Sequence, residues 1–431
     1  TLMRSSAASD VYKRQERGLA YPCFCTEEEL DKVRAKQEED KVLTGYYGEY
    51  ATCRNLSYEE IEANIKAGKP YVLRLRSQGS PDKEITFVDA IKGEIKLPEN
   101  IHDIVLLKKD GIPTYHFAHA IDDHLMRTTT VVRGGEWLAS APIHYELFHL
   151  LGFKMPAYAH TAHLMKFDEE TGGKRKLSKR KDPELSLDYY RKDGYHPYTM
   201  KVYLLTLLNS NFEEWHEKFP DKDINEFPFS VEKMNQSGAL FDKDKLHNIC
   251  KNELSKLSEE ELYDFLYDWA RENEPENVEK WFGDREKMLQ ILRLYMGVGA
   301  KRRRKDLMYA KQIFELISYF FDGESAEEMD EFKLDEDMVS KILKSYLAKY
   351  DHNDDNSVWF NKLKEIADEH GFASDMKAYK ANPENFKGNV SDIAEAVRIA
   401  VTGRANTPDL WTIVHIMGEE QMTERIKKHI K

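Results

Sequence analysis

The chain has 431 residues, of which 41% are hydrophobic and 33% are charged, and its formal net charge is −13. That length predicts about three domains. No apolar run approaches the roughly 18 residues of a membrane span, nothing resembles a signal peptide, and four cysteines are too few for a disulfide framework, which favours a cytoplasmic protein. The acidic balance argues against indiscriminate coating of nucleic acid but is compatible with local basic grooves.

The amino-terminal part falls into two pieces. Residues 1–15 show no helical or strand period and do not fit the pattern of the residues after them, so we interpret them as an unrelated leader translated from adapter sequence. Beyond them, Thr26 can cap a charged helix that runs to about Asp40, with Glu29 closing a capping box. Short strands are predicted at 71–76, 85–88 and 94–97. We predict a small α+β unit over residues 16–102.

A different pattern begins at residue 103. The apolar runs 104–107 and 129–133 indicate strands buried on both faces, and helices are predicted at 114–125 and after Pro142. This alternation predicts a parallel sheet, whose ligands bind beyond the carboxyl ends of the strands. Arg133 falls at such an end. Nearby histidines are interpreted mainly as surface residues of helices and strands: His119, His144, His149, His160 and His163.

The strands are predicted to stop after residue 209, where helical periods take over. Ser258 begins another capping box with Glu261. A last well-marked helix is predicted to start at Thr407-Pro408 and to end at Gly418. The sequence therefore predicts an all-helical carboxyl-terminal domain.

A dense basic run, GGKRKLSKRK at 172–181, lies between a strand predicted at 158–165 and a helix predicted after Pro183. It places six cations on a glycine-led loop in an otherwise acidic protein. A solvated basic turn would explain such a run. Its core, Lys176-Leu177-Ser178-Lys179-Arg180, resembles the Lys-Met-Ser-Lys-Ser loop of class I aminoacyl-tRNA synthetases, where lysines stabilise the triphosphate of ATP.

Five further stretches resemble bacterial glutamyl-tRNA synthetases, in the order that family has them. They are GLAYPCFCT (18–26), DGIPTY (110–115), DDHLM (122–126), VRGGEW (132–137) and AVTGR (400–404). The resemblance covers about residues 16–431. It implies ATP-dependent activation of glutamate to glutamyl-adenylate, followed by transfer to the terminal ribose of tRNA(Glu).

The resemblance also implies a fold, α/β plus all-α. Its segments would be an acceptor-stem-binding insertion (16–102), the distal half of a Rossmann-like catalytic domain (103–165), the KLSKR loop with a stem-contact region (166–245) and a helical anticodon-binding domain (246–431). The implied partners are tRNA(Glu), L-glutamate and ATP with Mg²⁺. We expect a monomer without membrane association.

By the same resemblance, four side chains would bind ATP or act on it. Lys176 and Lys179 would be the catalytic residues, because adenylate formation needs positioning and charge stabilisation more than covalent chemistry from the protein. Glu136 and Ser178 would join them in binding ATP. From the residues alone, Glu136 could instead be a surface acid.

Tyr115 and Arg133 match family positions that hold the amino acid. Glutamate carries two carboxylates, and a guanidinium offers a carboxylate a planar, bidentate partner. From the residues alone, two other interpretations stay open. Tyr115 could only pack at a turn, and Arg133 could pair with Asp122 or Asp123.

One departure from the family pattern concerns catalysis. The first signature of the family, His-x-Gly-His, is not present in this chain, nor is the arginine-bearing strand that precedes it. We therefore expect an amino-terminal truncation that uncovers a strand edge at 104–107 or 129–132. Such a chain is expected to make no adenylate unaided and to aggregate. The alternative hypothesis is a non-catalytic tRNA-binding module derived from a synthetase.

The sequence gives only weak evidence for a zinc site. Cys23, Cys25 and Cys53 resemble part of a zinc site found in some family members, and structural zinc normally has four ligands. Asn55 stands where a histidine would complete the set. Small buried thiols are therefore the favoured interpretation, and zinc is not expected.

Candidate tRNA contacts lie in the helical region. The run 301–305 (KRRRK) contains Arg302 and Arg303, which could bind the tRNA backbone or lie in a solvated interhelical turn. Arg404 is an anticodon candidate by family position. Three tryptophans at helical spacing are assigned to the core before base stacking is considered: Trp269, Trp359 and Trp411.

Overall fold

The computed structural model describes residues 18–168, 170–321 and 329–431. The leader predicted at 1–15 lies outside the described residues. The described chain divides into two compact units. The first comprises the residues up to Lys176 together with Leu205–Phe241, and the second comprises Leu177–Leu204 together with Asp242–Lys431.

The described part of the first unit contains ten strands in three sheets, with the orders β1-β2-β5, β4-β3-β7-β6 and β10-β8-β9. The strands are β1 (Ala20–Cys23), β2 (Val72–Leu75), β3 (Glu84–Asp89), β4 (Gly93–Pro98), β5 (Val105–Leu107), β6 (Thr130–Gly134), β7 (Ala157–Thr161), β8 (Leu164–Phe167), β9 (Lys174–Lys176) and β10 (Ala239–Leu240).

Eighteen α-helices are assigned within the described ranges. They are α1 (Glu27–Asp40), α2 (Tyr58–Lys66), α3 (Tyr115–Leu125), α4 (Ala141–Leu151), α5 (Leu187–Asp193), α6 (Pro197–Leu208), α7 (Phe212–Lys218), α8 (Lys243–Leu254), α9 (Glu259–Asn273), α10 (Val278–Phe282), α11 (Arg285–Met296), α12 (Ala310–Ile317), α13 (Glu336–Lys349), α14 (Asn356–His370), α15 (Met376–Ala381), α16 (Val390–Thr402), α17 (Leu410–Met417) and α18 (Glu419–Lys427). None of these helices is long and apolar enough to cross a membrane.

Local sequence sets the ends of several helices. The two predicted capping boxes are confirmed, because the side chains of Thr26 and Ser258 each accept a hydrogen bond from the backbone N–H three residues on, and their own backbone N–H groups donate to the glutamate at that position. Pro142 stands in the first turn of α4 as predicted. Gly152 ends that helix in the left-handed region, at φ +68°, where a side chain would be strained.

The sheet β4-β3-β7-β6 positions the candidate site. β6 and β7 pair in parallel, as the alternation of strands and helices predicts, and β7 also pairs in parallel with β3. β3 and β4 form an antiparallel hairpin. No described strand pairs with the outer edge of β6, where Val132 is 59% exposed. An uncovered edge at 129–132 is therefore confirmed within the described residues.

Four predictions about strands are wrong. The run 129–133 is not buried on both faces, because Thr130 and Val132 of β6 are exposed. The run 104–107 does not enter a parallel sheet, because β5 pairs antiparallel with β2. The strand predicted at 158–165 is two strands, β7 and β8, which lie in different sheets. Strands also do not stop at residue 209, since β10 lies beyond it. An apolar run indicates a strand but shows neither how fully that strand is covered nor which strand it pairs with.

The second unit is helical and is built on one large apolar core. Trp269 and Trp359 are buried in it and Trp411 packs against it, so their assignment to the core is confirmed. The predicted last helix is wrong in two details. It begins at Leu410, capped by Asp409, and α18 comes after it.

Candidate active site

Arg133 lies near the carboxyl end of β6, and its guanidinium is held by three neighbours. Nε donates to Nε2 of His160 at 2.9 Å, Nη1 lies 3.1 Å from Nδ1 of His144, and Nη2 donates to the carbonyl of Trp137 at 3.3 Å. The guanidinium carbon lies 4.7 Å from the centre of the Tyr158 ring. These contacts fix a half-buried cation at the strand end where the sequence predicted a ligand site.

Tyr115 begins α3, and its side chain is 50% exposed. Its ring packs against Trp137, with centroids 4.7 Å apart, and stacks on His119 at 5.8 Å. Trp137 also lies 5.9 Å from the Arg133 guanidinium. The structure thus brings Tyr115 and Arg133 to one aromatic surface, where a phenol and a guanidinium can bind a polar anion.

The interpretation of Arg133 as a partner of Asp122 or Asp123 is wrong. Neither carboxylate forms an ion pair with Arg133 within the described residues, and Asp123 lies instead 2.8 Å from Nδ1 of His119. The guanidinium charge therefore stays available to a ligand.

The interpretation of the nearby histidines as surface residues is wrong for His144 and His160, both of which are fully buried. His144 approaches His116, with Nε2 and Nδ1 2.9 Å apart, and His119 approaches the Tyr158 hydroxyl at 2.7 Å. Burial, reinforced by His119 and Arg133, lowers the pKa of His144 to about 2. These rings surround Arg133 with neutral groups.

The helical period of α4 could have identified His144. It shares the buried face of α4 with Ala141, Leu147 and Phe148, at the three- and four-residue spacings of a helix. A histidine that lies on the apolar face of a helix is buried together with that face, although histidine is on average found more often at the surface.

Asp89, the last residue of β3, is a functional candidate that the sequence reasoning missed. Its side chain is 2% exposed. Oδ1 accepts from the backbone N–H groups of Ile91 and Lys92 at 2.9 Å, while Oδ2 accepts from the His160 N–H at 3.0 Å and lies 2.6 Å from its Nδ1. Burial raises the pKa of Asp89, but these hydrogen bonds outweigh it and hold the pKa below its ordinary value.

Glu136, His163 and Lys176 form a second cluster in the same unit. Lys176 Nζ lies 3.9 Å from Oε1 of Glu136 and 3.5 Å from Nε2 of His163, whose Nδ1 lies 3.4 Å from Oε2 of Glu136. The Lys176 and Glu136 side chains are each about half exposed. The structure thus brings together two of the predicted ATP ligands, one a cation suited to phosphate and the other an acceptor.

The basic run is more ordered than the predicted loop. Lys174–Lys176 is strand β9 and pairs with β8, so the prediction of a continuous loop from 172 to 181 is wrong. In the second unit, Asp182 closes a turn by accepting from the Ser178 N–H at 2.8 Å. Lys179 is exposed at the tip of that turn. The turn presents its cations outward, as a phosphate-binding loop requires.

Comparison with known proteins settles the family. Residues 8–248 match "tRNA synthetases class I (E and Q), catalytic domain", and residues 261–430 match an anticodon binding domain. A glutamate–tRNA ligase of Acetivibrio thermocellus is 52% identical over 415 residues, covering 96% of this chain and 75% of the relative. The chain belongs to the class I glutamate–tRNA ligase family. It is thus an aminoacyl-tRNA ligase, a class that uses ATP.

Two further relatives agree with this family. A glutamate–tRNA ligase of Clostridium perfringens strain SM101 is 45% identical, covering 99% of this chain and 78% of the relative. A crystal structure of a glutamate–tRNA ligase from Elizabethkingia meningosepticum, in complex with its amino acid, aligns with a TM-score of 0.73 at 25% identity, covering 99% of this chain and 83% of that one. The alternative of a non-catalytic module is not favoured.

The thiols that resemble a synthetase zinc site do come together. Within the described residues, the sulfurs of Cys23, Cys25 and Cys53 all lie within 4.8 Å of one another. The Tyr46 hydroxyl lies 3.4 Å from Cys23 and 3.3 Å from Cys25. Three sulfurs are one fewer than the four ligands that structural zinc normally takes. That the three cysteines are thiols without bound zinc stays a prediction from the sequence.

The predicted tRNA-contact arginines of this ligase lie in the second unit, in different settings. Arg302 and Arg303 are exposed on the segment after α11, and Arg302 lines a cavity of about 740 Å³ together with Arg304 and His415. Arg404 is partly buried and donates to the Glu315 carbonyl at 2.5 Å. Its guanidinium therefore has a structural partner within the unit.

Proposed function

We propose that the chain supplies the part of a glutamate–tRNA ligase active site that binds L-glutamate and ATP, the substrates of glutamyl-adenylate formation, which precedes transfer of the glutamyl group to tRNA(Glu). Glutamate is held by Tyr115 and Arg133. ATP with Mg²⁺ is held by Glu136, Lys176, Ser178 and Lys179. One observation carries the proposal, namely the Arg133 guanidinium fixed beside Tyr115 at a strand end, with neutral groups around it.

The chemistry of the Arg133 site favours glutamate over its neutral amide. A guanidinium and a carboxylate form charge-assisted hydrogen bonds that are about twice as strong as neutral ones. Glutamine would leave that charge without a partner in a half-buried site, and such a loss discriminates strongly between substrates. The Tyr115 hydroxyl can donate to the same substrate.

Activation of glutamate needs no general base, because its α-carboxylate is already a nucleophile. The carboxylate attacks the α-phosphorus of ATP, the bond to the bridging oxygen breaks, and pyrophosphate leaves with that electron pair. Lys176 and Lys179 stabilise the charge that moves onto pyrophosphate. Bound Mg²⁺ would add further charge neutralisation on the phosphates.

The helical unit is proposed to read tRNA(Glu). Arg302 and Arg303 provide positive charge for the RNA backbone, and the adjoining cavity is large enough for an unstacked base. Arg404 is proposed as an anticodon contact. We further propose that the protein acts as a monomer in the cytoplasm.

Equilibrium dialysis with radiolabelled L-glutamate tests the proposal. Arg133→Ala is expected to weaken glutamate binding at least about tenfold, which corresponds to roughly 1.4 kcal/mol. The matched control is Arg34→Ala, which removes an exposed guanidinium from α1 of the same unit. Equal glutamate affinity in the wild type and in Arg133→Ala would overturn the proposal.

A further inference from the structure

We infer that Asp89 and His160 are positioning residues that orient the Arg133 guanidinium toward the carboxylate of glutamate. This inference rests on the proposed role of Arg133. It assigns a task to a buried acid and a buried histidine that the chemistry of adenylate formation does not otherwise use. Burial of both side chains is costly unless each is fully hydrogen-bonded, which their geometry achieves.

The three side chains lie on three neighbouring strands. Asp89 ends β3, His160 lies in the middle of the sheet on β7, and Arg133 lies on the edge strand β6. Arg133 and His160 are direct partners in the parallel register of β6 and β7. The hydrogen bonds that link Asp89 to His160 and His160 to Arg133, here called the relay, therefore run across the sheet. The backbone hydrogen bonds of the sheet hold each of the three residues in place.

The hydrogen bonds have a defined direction. A guanidinium can only donate, so Nε2 of His160 must be the unprotonated nitrogen that accepts from Arg133. The ring proton of His160 then lies on Nδ1, 2.6 Å from the Asp89 carboxylate. Asp89 thus selects the tautomer that can hold Arg133. The backbone amides of Ile91 and Lys92 fix the carboxylate in turn.

The same rule applies on the other side of the guanidinium. His144 must accept from Arg133 through Nδ1, so its Nε2 carries the proton that it donates to His116. Trp137 accepts a third hydrogen bond through its carbonyl. Three of the five guanidinium N–H groups are thereby used. The two that remain are the number that a bidentate carboxylate takes.

Loss of the relay would free the Arg133 side chain to rotate. Without the acceptor on His160, the Nε–H of Arg133 would donate to the substrate carboxylate or to water instead. The bidentate arrangement would then be only one of several orientations in which the guanidinium binds the carboxylate. Small misplacement of a binding group is enough to weaken a productive complex about tenfold or more. His160→Gln would keep an acceptor oxygen and is the conservative rescue.

Nuclear magnetic resonance on the full chain with ¹⁵N-labelled arginine tests the geometry directly. The Arg133 Nε–H resonance, identified by its loss in Arg133→Lys, is expected to be protected from solvent exchange. We expect that protection to be lost in His160→Phe and Asp89→Asn and to persist in His160→Gln. It should also persist in the control His149→Phe, which changes an exposed histidine of α4.

Glutamate dialysis of the same variants tests the consequence. His160→Phe and Asp89→Asn are expected to weaken L-glutamate binding about tenfold, and His160→Gln by less than about threefold. Unchanged protection in His160→Phe would overturn the inference, whatever the glutamate affinity. If protection is lost and glutamate affinity is unchanged, the inference also fails. In that case Arg133→Ala shows whether the proposed function fails with it.

Discussion

Lys176 on β9 places its Nζ 3.9 Å from Oε1 of Glu136, which lies in the turn after β6. Both side chains are about half exposed, and ion pairs of this kind contribute at most about 1 kcal/mol to stability. An ATP phosphate can therefore displace Glu136 from Lys176 at little cost. In the proposed function the pair takes part in ATP binding, and its contribution to stability is small.

The weak Lys176–Glu136 pair predicts that removal of Lys176 lowers the affinity for ATP without lowering the stability of the protein. Lys176→Ala is expected to weaken binding of a fluorescent ATP analogue about tenfold and to leave the urea midpoint unchanged. Lys174→Ala, on the same strand, is the control. Equal ATP affinity in Lys176→Ala and the wild type would remove Lys176 from the proposed site.

The Ser178–Asp182 turn predicts a change in protease sensitivity. Asp182→Ala would leave the partly buried Ser178 N–H without its acceptor, which costs about 1–3 kcal/mol locally. The cationic tip should then open more often, so limited trypsin cleavage at 179–181 is expected to accelerate severalfold. Asp188→Ala changes an exposed acid of α5 and should leave the rate unaltered. An unchanged rate in Asp182→Ala would mean that the turn is held by other contacts.

His144 predicts how stability depends on pH. Its pKa is about 2 in the folded chain and about 6.5 when unfolded, so between these values only the unfolded chain binds the proton. Stability should therefore fall as the pH drops below about 6.5, at up to about 1.4 kcal/mol per pH unit. Burial also lowers the pKa of His116, His119 and His160, which adds to the effect with the same sign.

Urea unfolding of the full chain at pH 7 and pH 5 measures this dependence. His144→Phe should lose less stability between the two values than the wild type, by about 1 kcal/mol or more. A variant with the same loss as the wild type would show that His144 is not the buried neutral group that the geometry indicates.

The basic segment after α11 predicts salt-dependent tRNA binding. Arg302→Ala combined with Arg303→Ala should weaken tRNA(Glu) binding and reduce the slope of log affinity against log salt by about 1 to 2. The charge-matched control combines Lys341→Ala with Lys377→Ala, two exposed lysines elsewhere in the unit. The same slope in both double variants would assign the arginines to a solvated turn.

Features specified by neighbouring residues were predictable from the sequence. Capping boxes form within four residues, so Thr26 and Ser258 identify their helices without knowledge of the fold. The strand end that carries Arg133 was predictable for a similar reason, since a β-branched run followed by two glycines indicates a strand and its end. The placement of Tyr115 beside Arg133 could be expected only from the family resemblance.

Features that depend on strand pairing were not predictable. Asp89 and His160 meet because β3 and β7 are neighbours, and nothing within either segment specifies that partner. For the same reason, the parallel pairing predicted for the run 104–107 was wrong. His144 is different, because the period of α4 indicates its burial and only an average preference for the surface concealed it.

Titration calorimetry with a stable adenylate analogue, L-glutamyl-sulfamoyl-adenosine, tests the central claim that Arg133 selects glutamate. We expect one site per chain, at least about tenfold weaker binding in Arg133→Ala, and comparably weak binding of the L-glutaminyl analogue to the wild type. Equal affinities for the two analogues, unchanged by Arg133→Ala, would contradict that claim.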